Sequence, residues 1–76
     1  MIGELDRVVI TRDIPDHGLA EGDLGTVVFR YPDGRAYEVE FMTGNGATVA
    51  VLTLDSDEVR SIADGEILHA RRLRPV

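Results

Sequence analysis

The segment Tyr37-Glu38-Val39-Glu40-Phe41 alternates strictly between large apolar and acidic side chains. It lies between two turn signals, Tyr31-Pro32-Asp33-Gly34 and Thr43-Gly44-Asn45-Gly46. Period-two alternation places successive side chains on opposite faces of a strand. Tyr37, Val39 and Phe41 are therefore expected on a buried face, and Glu38 and Glu40 on a wetted one. Pro32 suits the first central position of a turn, Asp33 the second, and Gly34 the left-handed position after it. Asn45-Gly46 tolerates the positive φ that a tight hairpin needs. The spacing predicts a strand over 35–42.

Short apolar runs separated by turn residues continue on both sides, the pattern of a small all-β domain. A first strand is expected over 6–12, with Val8 and Ile10 on one side and Arg7, Val9 and Thr11 on the other. Asp13-Ile14-Pro15-Asp16-His17-Gly18 breaks it, because proline removes a ladder donor and restricts its neighbour. A second strand over 24–30 carries Val27 and Phe29 on one face. A fourth over 47–54 is apolar on both faces. Asp55 to Val59 reads as a single helical turn, capped by Asp55 or Ser56, and 59–62 as a short fifth strand. Ala63-Asp64-Gly65 is a further break. Residues 66–73 suit one more strand, with Ile67, His69, Arg71 and Leu73 on one side, or an extended arm, or a short helix. The first two fit better.

The expected fold is one all-β domain over 1–76: a small SH3-like barrel of about five antiparallel strands, one short helical turn, and a C-terminal strand or arm. Seventy-six residues without cysteine must rely on aliphatic packing. The N-terminal residues lack the basic and apolar regions of a signal peptide. Val49-Ala50-Val51-Leu52 is too short to span a membrane, and a cytoplasmic protein is expected.

The block from Asp6 to Val28 reads D-x-V-x4-D-x-P-x2-G-x3-G-D-x-G-T-V-V. It resembles a family of short bacterial proteins known only as a domain of unknown function. The likeness extends through Tyr37–Phe41 and Thr48–Leu54 to Asp57-Glu58-Val59-Arg60. More distantly it is similar to the SH3-like barrel of the nitrile hydratase β subunit and to KOW modules. The resemblance implies a fold and no activity. The residues give a geometric reason for the G-D-x-G-T-V segment. Gly22 and Gly25 can adopt backbone angles that other residues resist. Asp23 can hold the bend by accepting from nearby amides, and Thr26, Val27 and Val28 propagate a strand.

Charge is unevenly distributed. Residues 1–66 hold all fourteen acids and five arginines, a balance of −9, whereas 67–76 hold Arg71, Arg72 and Arg74 and no acid. An acidic body disfavours phosphate backbones. It suits a basic partner, or it serves solubility alone. The arginine tail would meet phosphate or an acidic patch, or fold back on its own body.

Catalytic chemistry finds no support. Cysteine is absent, Ser56 and Ser61 sit in no nucleophile motif, and His17 and His69 lack a positioned partner. Asp13, Asp16, His17, Glu21 and Asp23 crowd one loop, but their spacing does not match a calcium loop. Turn and capping roles fit them better. Gly44-Asn45-Gly46 opens no helix and so forms no phosphate loop. Neither catalytic nor metal residues are assigned, and no cofactor is expected.

The chain is therefore read as a non-catalytic acidic interaction module, an accessory or neutralising partner, of antitoxin or immunity type, of a more basic protein. Two alternatives stay open: a KOW-like nucleic-acid-associated module and a metal-binding accessory domain. Candidate partner-binding residues are Asp13, Asp16, His17, Glu21 and Asp23 in the loop, Leu52 and Leu54 on the fourth strand, and Arg71 and Arg72 in the tail. An uncovered apolar strand face would also suit a homodimer.

Overall fold

A computed structural model describes residues 1–74. Its strands are β1 (Arg7–Ile10), β2 (Leu24–Arg30), β3 (Ala36–Met42), β4 (Thr48–Asp55) and β5 (Val59–Ser61). All pairings are antiparallel, in the order β4-β3-β2-β1-β5. The first four strands form a meander. One tight helical turn, Ser56–Glu58, then brings β5 back beside β1.

That turn is held from several directions. Glu58 Oε1 accepts from the Asp55 N–H (2.8 Å), the reach-back of a capping box. The Thr11 N–H donates to the Glu58 carbonyl (3.0 Å), and Arg12 pairs with the Glu58 carboxylate. The turn thereby fixes the end of β1 as well as the start of β5.

Tyr37, Val39 and Phe41 are buried, as their alternation requires. They pack with Val8, Ile10 and Val27 in one cluster. Val9, on the other side of β1 from Val8 and Ile10, is also buried, at 5% exposure but outside that cluster. Its strand lies between β2 and β5.

Gly25 pairs with Val8 across β1 and β2. A Cβ there would lie 2.5 Å from Val39 Cγ1, 2.9 Å from Phe41 Cε1 and 3.1 Å from the Glu40 carbonyl. Gly22 takes the expected positive φ (95°), but Gly25 is not among the positive-φ glycines. The second glycine of the motif is thus required for space and not for a backbone angle.

Two further details depart from expectation, and a third decides between two expected forms. In the first hairpin Asp33 itself is left-handed (φ 70°), and Gly34 follows it (φ 65°). A register shift between Val27 and Phe29 places Phe29 opposite Glu38. The inserted residue reverses the alternation, so Phe29 leaves the Val27 face and is 44% exposed. Of the strand or arm expected over 66–73, the arm is what forms: no strand lies there. The Glu66 N–H closes a turn on the Ala63 carbonyl (3.1 Å), with Gly65 at φ 84°. The Glu66 carboxylate grips Arg60 at 2.8 Å through both oxygens and accepts from the Ala63 N–H at 2.7 Å. These bonds hold its acid at about 2. The chain is steered off the sheet as an arm.

Replacing Gly25 by alanine forces a methyl group into backbone and packed side chains. Gly25→Ala should cost about 1–3 kcal/mol and lower Tm by roughly 5–20 °C. Gly44→Ala, where a Cβ meets nothing within 4 Å, should stay within about 0.5 kcal/mol. Thermal and urea denaturation of both variants measure the difference.

Candidate binding cleft

The loop between β1 and β2 is pinned at its middle. Ile14 and Leu19 exchange backbone hydrogen bonds (2.9 and 3.1 Å), and both side chains are buried. Pro15–His17 is a one-turn bulge outside them, leaving Asp16 and His17 exposed. Gly18 ends the turn in the left-handed region (φ 70°).

The carboxylates of this loop have separate tasks. Asp13 Oδ1 accepts from the Glu21 N–H (2.8 Å). Asp23 Oδ2 accepts from the Ala20 N–H (2.8 Å), the bend-holding role its position suggests. Glu21 is exposed. Among the described residues no three His, Asp or Glu side chains converge as a metal site would require.

A cleft of about 590 Å³ opens beside this loop. Leu19–Leu24, Phe41–Gly44 and Val49 form its body side, and His69, Ala70, Arg71 and Leu73 its arm side. Arg71 joins the two. Its Nε donates to Asp23 Oδ1 (2.8 Å), and its Nη2 donates to Asp23 Oδ2 and to the Gly18 carbonyl (3.0 Å). Of the two readings of the arginine tail, the fold-back describes Arg71. Arg72 is exposed, and its carbonyl accepts from Arg71 Nη1 (3.4 Å). Burial raises the Asp23 pKa, but the bonds from Arg71 and the Ala20 N–H outweigh it and hold the acid below its ordinary value.

The fourth-strand candidates need correction. Leu54 pairs with Tyr37 and Leu52 with Val39, and directly opposed residues share a face. Both leucines therefore face the core: Leu54 is 3% exposed, and Leu52 packs against the cluster half-buried. The outward side of β4 carries Val51, 51% exposed. The sequence also missed an exposed aromatic pair. Phe29 and Tyr31 meet edge to face at 5.0 Å, and Tyr31 Oη donates to Glu38 Oε2 (2.6 Å). No period-two reading reveals Phe29 there, because the bulge puts it there.

The loop residues therefore come together only in part. Asp23 and Arg71 meet at the cleft, Glu21 lines it, and Asp13, Asp16 and His17 do not. His17 and His69 are exposed. No helix among the described residues is long and apolar enough to cross a membrane.

The class defined by these features is a small all-β domain with a one-sided cleft, closed in part by its own arginine-bearing arm. The chain belongs to the family described as Domain of unknown function (DUF4926), whose model matches residues 4–61. The match ends at the last residue of β5, so the arm lies beyond it. No curated protein and no solved structure matches the chain.

Because the folded acid of Asp23 is the stronger one, its contribution is present above the ordinary value of 3.8 and is lost as pH falls through the lower folded value. The Arg71 contact should persist down to about pH 4 and release below it. Two-dimensional NMR of the Arg71 Nε–H and the Leu73 amide follows the release; a midpoint above about pH 4 would contradict the assignment.

Proposed function

We propose that the domain is a non-catalytic acidic docking module for a more basic protein, acting as an accessory or neutralising partner in the cytoplasm. One observation carries the reading: the acidic body already receives an arginine, Arg71 on Asp23 and the Gly18 carbonyl. The −9 balance of residues 1–66 supports it by steering a cationic surface toward the loop. An SH3-like barrel is the matching architectural reading. The strand order β4-β3-β2-β1-β5, with the helical turn Ser56–Glu58 leading into β5, supports it.

The test is an affinity pull-down of tagged protein from bacterial lysate under a salt gradient, run beside the double variant Asp16→Lys/Glu21→Lys. Both side chains are exposed, so the fold should stay intact. One stoichiometric basic protein should leave at moderate salt. Its association rate should fall about tenfold with the variant. An empty eluate, one of nucleic acid alone, or capture indifferent to the charge reversal would overturn the proposal.

A further inference from the structure

We propose that the cleft is a recognition site for an extended segment carrying Arg-x-Leu in a partner protein, and that residues 71–73 of this chain occupy it as a tethered stand-in. The inference rests on the docking-module reading and names the chemistry of the partner.

Beyond the Glu66 clamp on Arg60 at its start, the arm is held at two points. Among residues 63–74 every side chain is exposed except that of Leu73, which is half-buried. Ile67 is 91% exposed and Leu68 54%. No part of the arm adds to the sheet. Past Glu66, a segment with so few contacts owes its course to the Arg71 guanidinium and the Leu73 side chain. They stand two residues apart, and alternate residues of an extended chain share a side.

The receptor is built from the body of the domain. The Gly18 carbonyl is presented by a glycine in the left-handed region, its own N–H bonded to the Pro15 carbonyl (3.1 Å). The Asp23 carboxylate is aimed by the Ala20 N–H (2.8 Å). Together they present three acceptor oxygens to one planar cation. A guanidinium satisfies all three with a rigid fork of donors, which a lysine ammonium does not reproduce. The cleft that Leu73 lines also carries Phe41, Met42 and Val49 on its body side, apolar surface suited to a branched aliphatic side chain.

Receptor and occupant also differ in their relation to the family. Gly18 and Asp23 fall inside the matched region 4–61, and Arg71 and Leu73 fall outside it. Tethering gives the arm an effective concentration on the order of millimolar. It therefore screens the cleft against weak competitors and yields to a partner that makes further contacts.

The probe is the capped peptide His-Ala-Arg-Arg-Leu-Arg, the sequence of residues 69–74. It is titrated into the native chain and into the full-length variant Arg71→Ser/Leu73→Ser, whose cleft is vacated, with the amides of Gly18, Asp23 and Gly44 read by NMR. The vacated chain should show saturable shifts at all three. The native chain should bind about tenfold more weakly, because its own arm competes. A peptide with lysine in place of its first arginine should lose most of the affinity. No saturable shift in the vacated chain, equal affinity for the two chains, or equal affinity for the two peptides overturns the proposal. So does a native-chain dimer in sedimentation that the vacating substitutions abolish, since the occupant would then be a second copy. Peptide binding without lysate capture would remove the docking module and leave the arginine site. Capture without peptide binding would do the reverse.

Discussion

The approach of β2 to β3 at Gly25 is the constraint on which the remaining structure depends. Val39 and Phe41, at 0% and 2% exposure, occupy the space that a side chain at Gly25 would need. The chain meets that close approach with a residue that has no side chain of its own. The two glycines of the G-D-x-G segment therefore do different things. Gly22 turns the chain, and Gly25 makes room for the core. Asp23 sits between them with its N–H on the Ala20 carbonyl (2.9 Å) and its carboxylate on the Ala20 N–H (2.8 Å). The cleft inherits its acceptor geometry from this corner, so the same few residues that shape the core also aim the carboxylate.

Much of the fold was legible because its strongest signals are local. The alternation over Tyr37–Phe41, the two hairpin turns, the Asp55 cap and the bend-holding role of Asp23 each follow from side chains and their near neighbours. What was not legible depends on register. β4 is apolar on both faces, so periodicity could not say which face is inner. That face is set by the pairing of Leu54, Leu52 and Ala50 with Tyr37, Val39 and Phe41. A second irregularity, between Phe41 and Met42, brings Met42 opposite Thr48 and leaves Val49 as the extra residue. A one-residue slip exchanges the two faces. Bulges of this kind placed Leu54 inside and Phe29 outside, and neither leaves a mark in the local sequence.

The cleft was legible only in halves. The acidic loop and the arginine tail each stood out by composition, but 48 residues separate Asp23 from Arg71, and nothing local specifies their meeting. It follows from two separate events. β5 must return to β1, which brings the chain end to the β1–β2 side of the sheet. Glu66 must then turn the chain away from that edge by gripping Arg60 and the Ala63 N–H. A strand continuing past Ser61 would have carried Arg71 elsewhere.

Core and arm accordingly answer to different forces. The core is apolar and contains no buried polar or charged residue among those described, so added salt leaves its packing largely untouched. The arm is anchored by a pair whose side chains keep 36% and 18% of their exposure. Such exposed pairs contribute little and weaken as ions screen them. A contact this weak cannot determine the fold, but it is of a size that binding can reverse. The arm is therefore a separable layer over the sheet. Ionic strength, acidification through the Asp23 titration and competing guanidinium groups should all act on that layer before they act on the sheet.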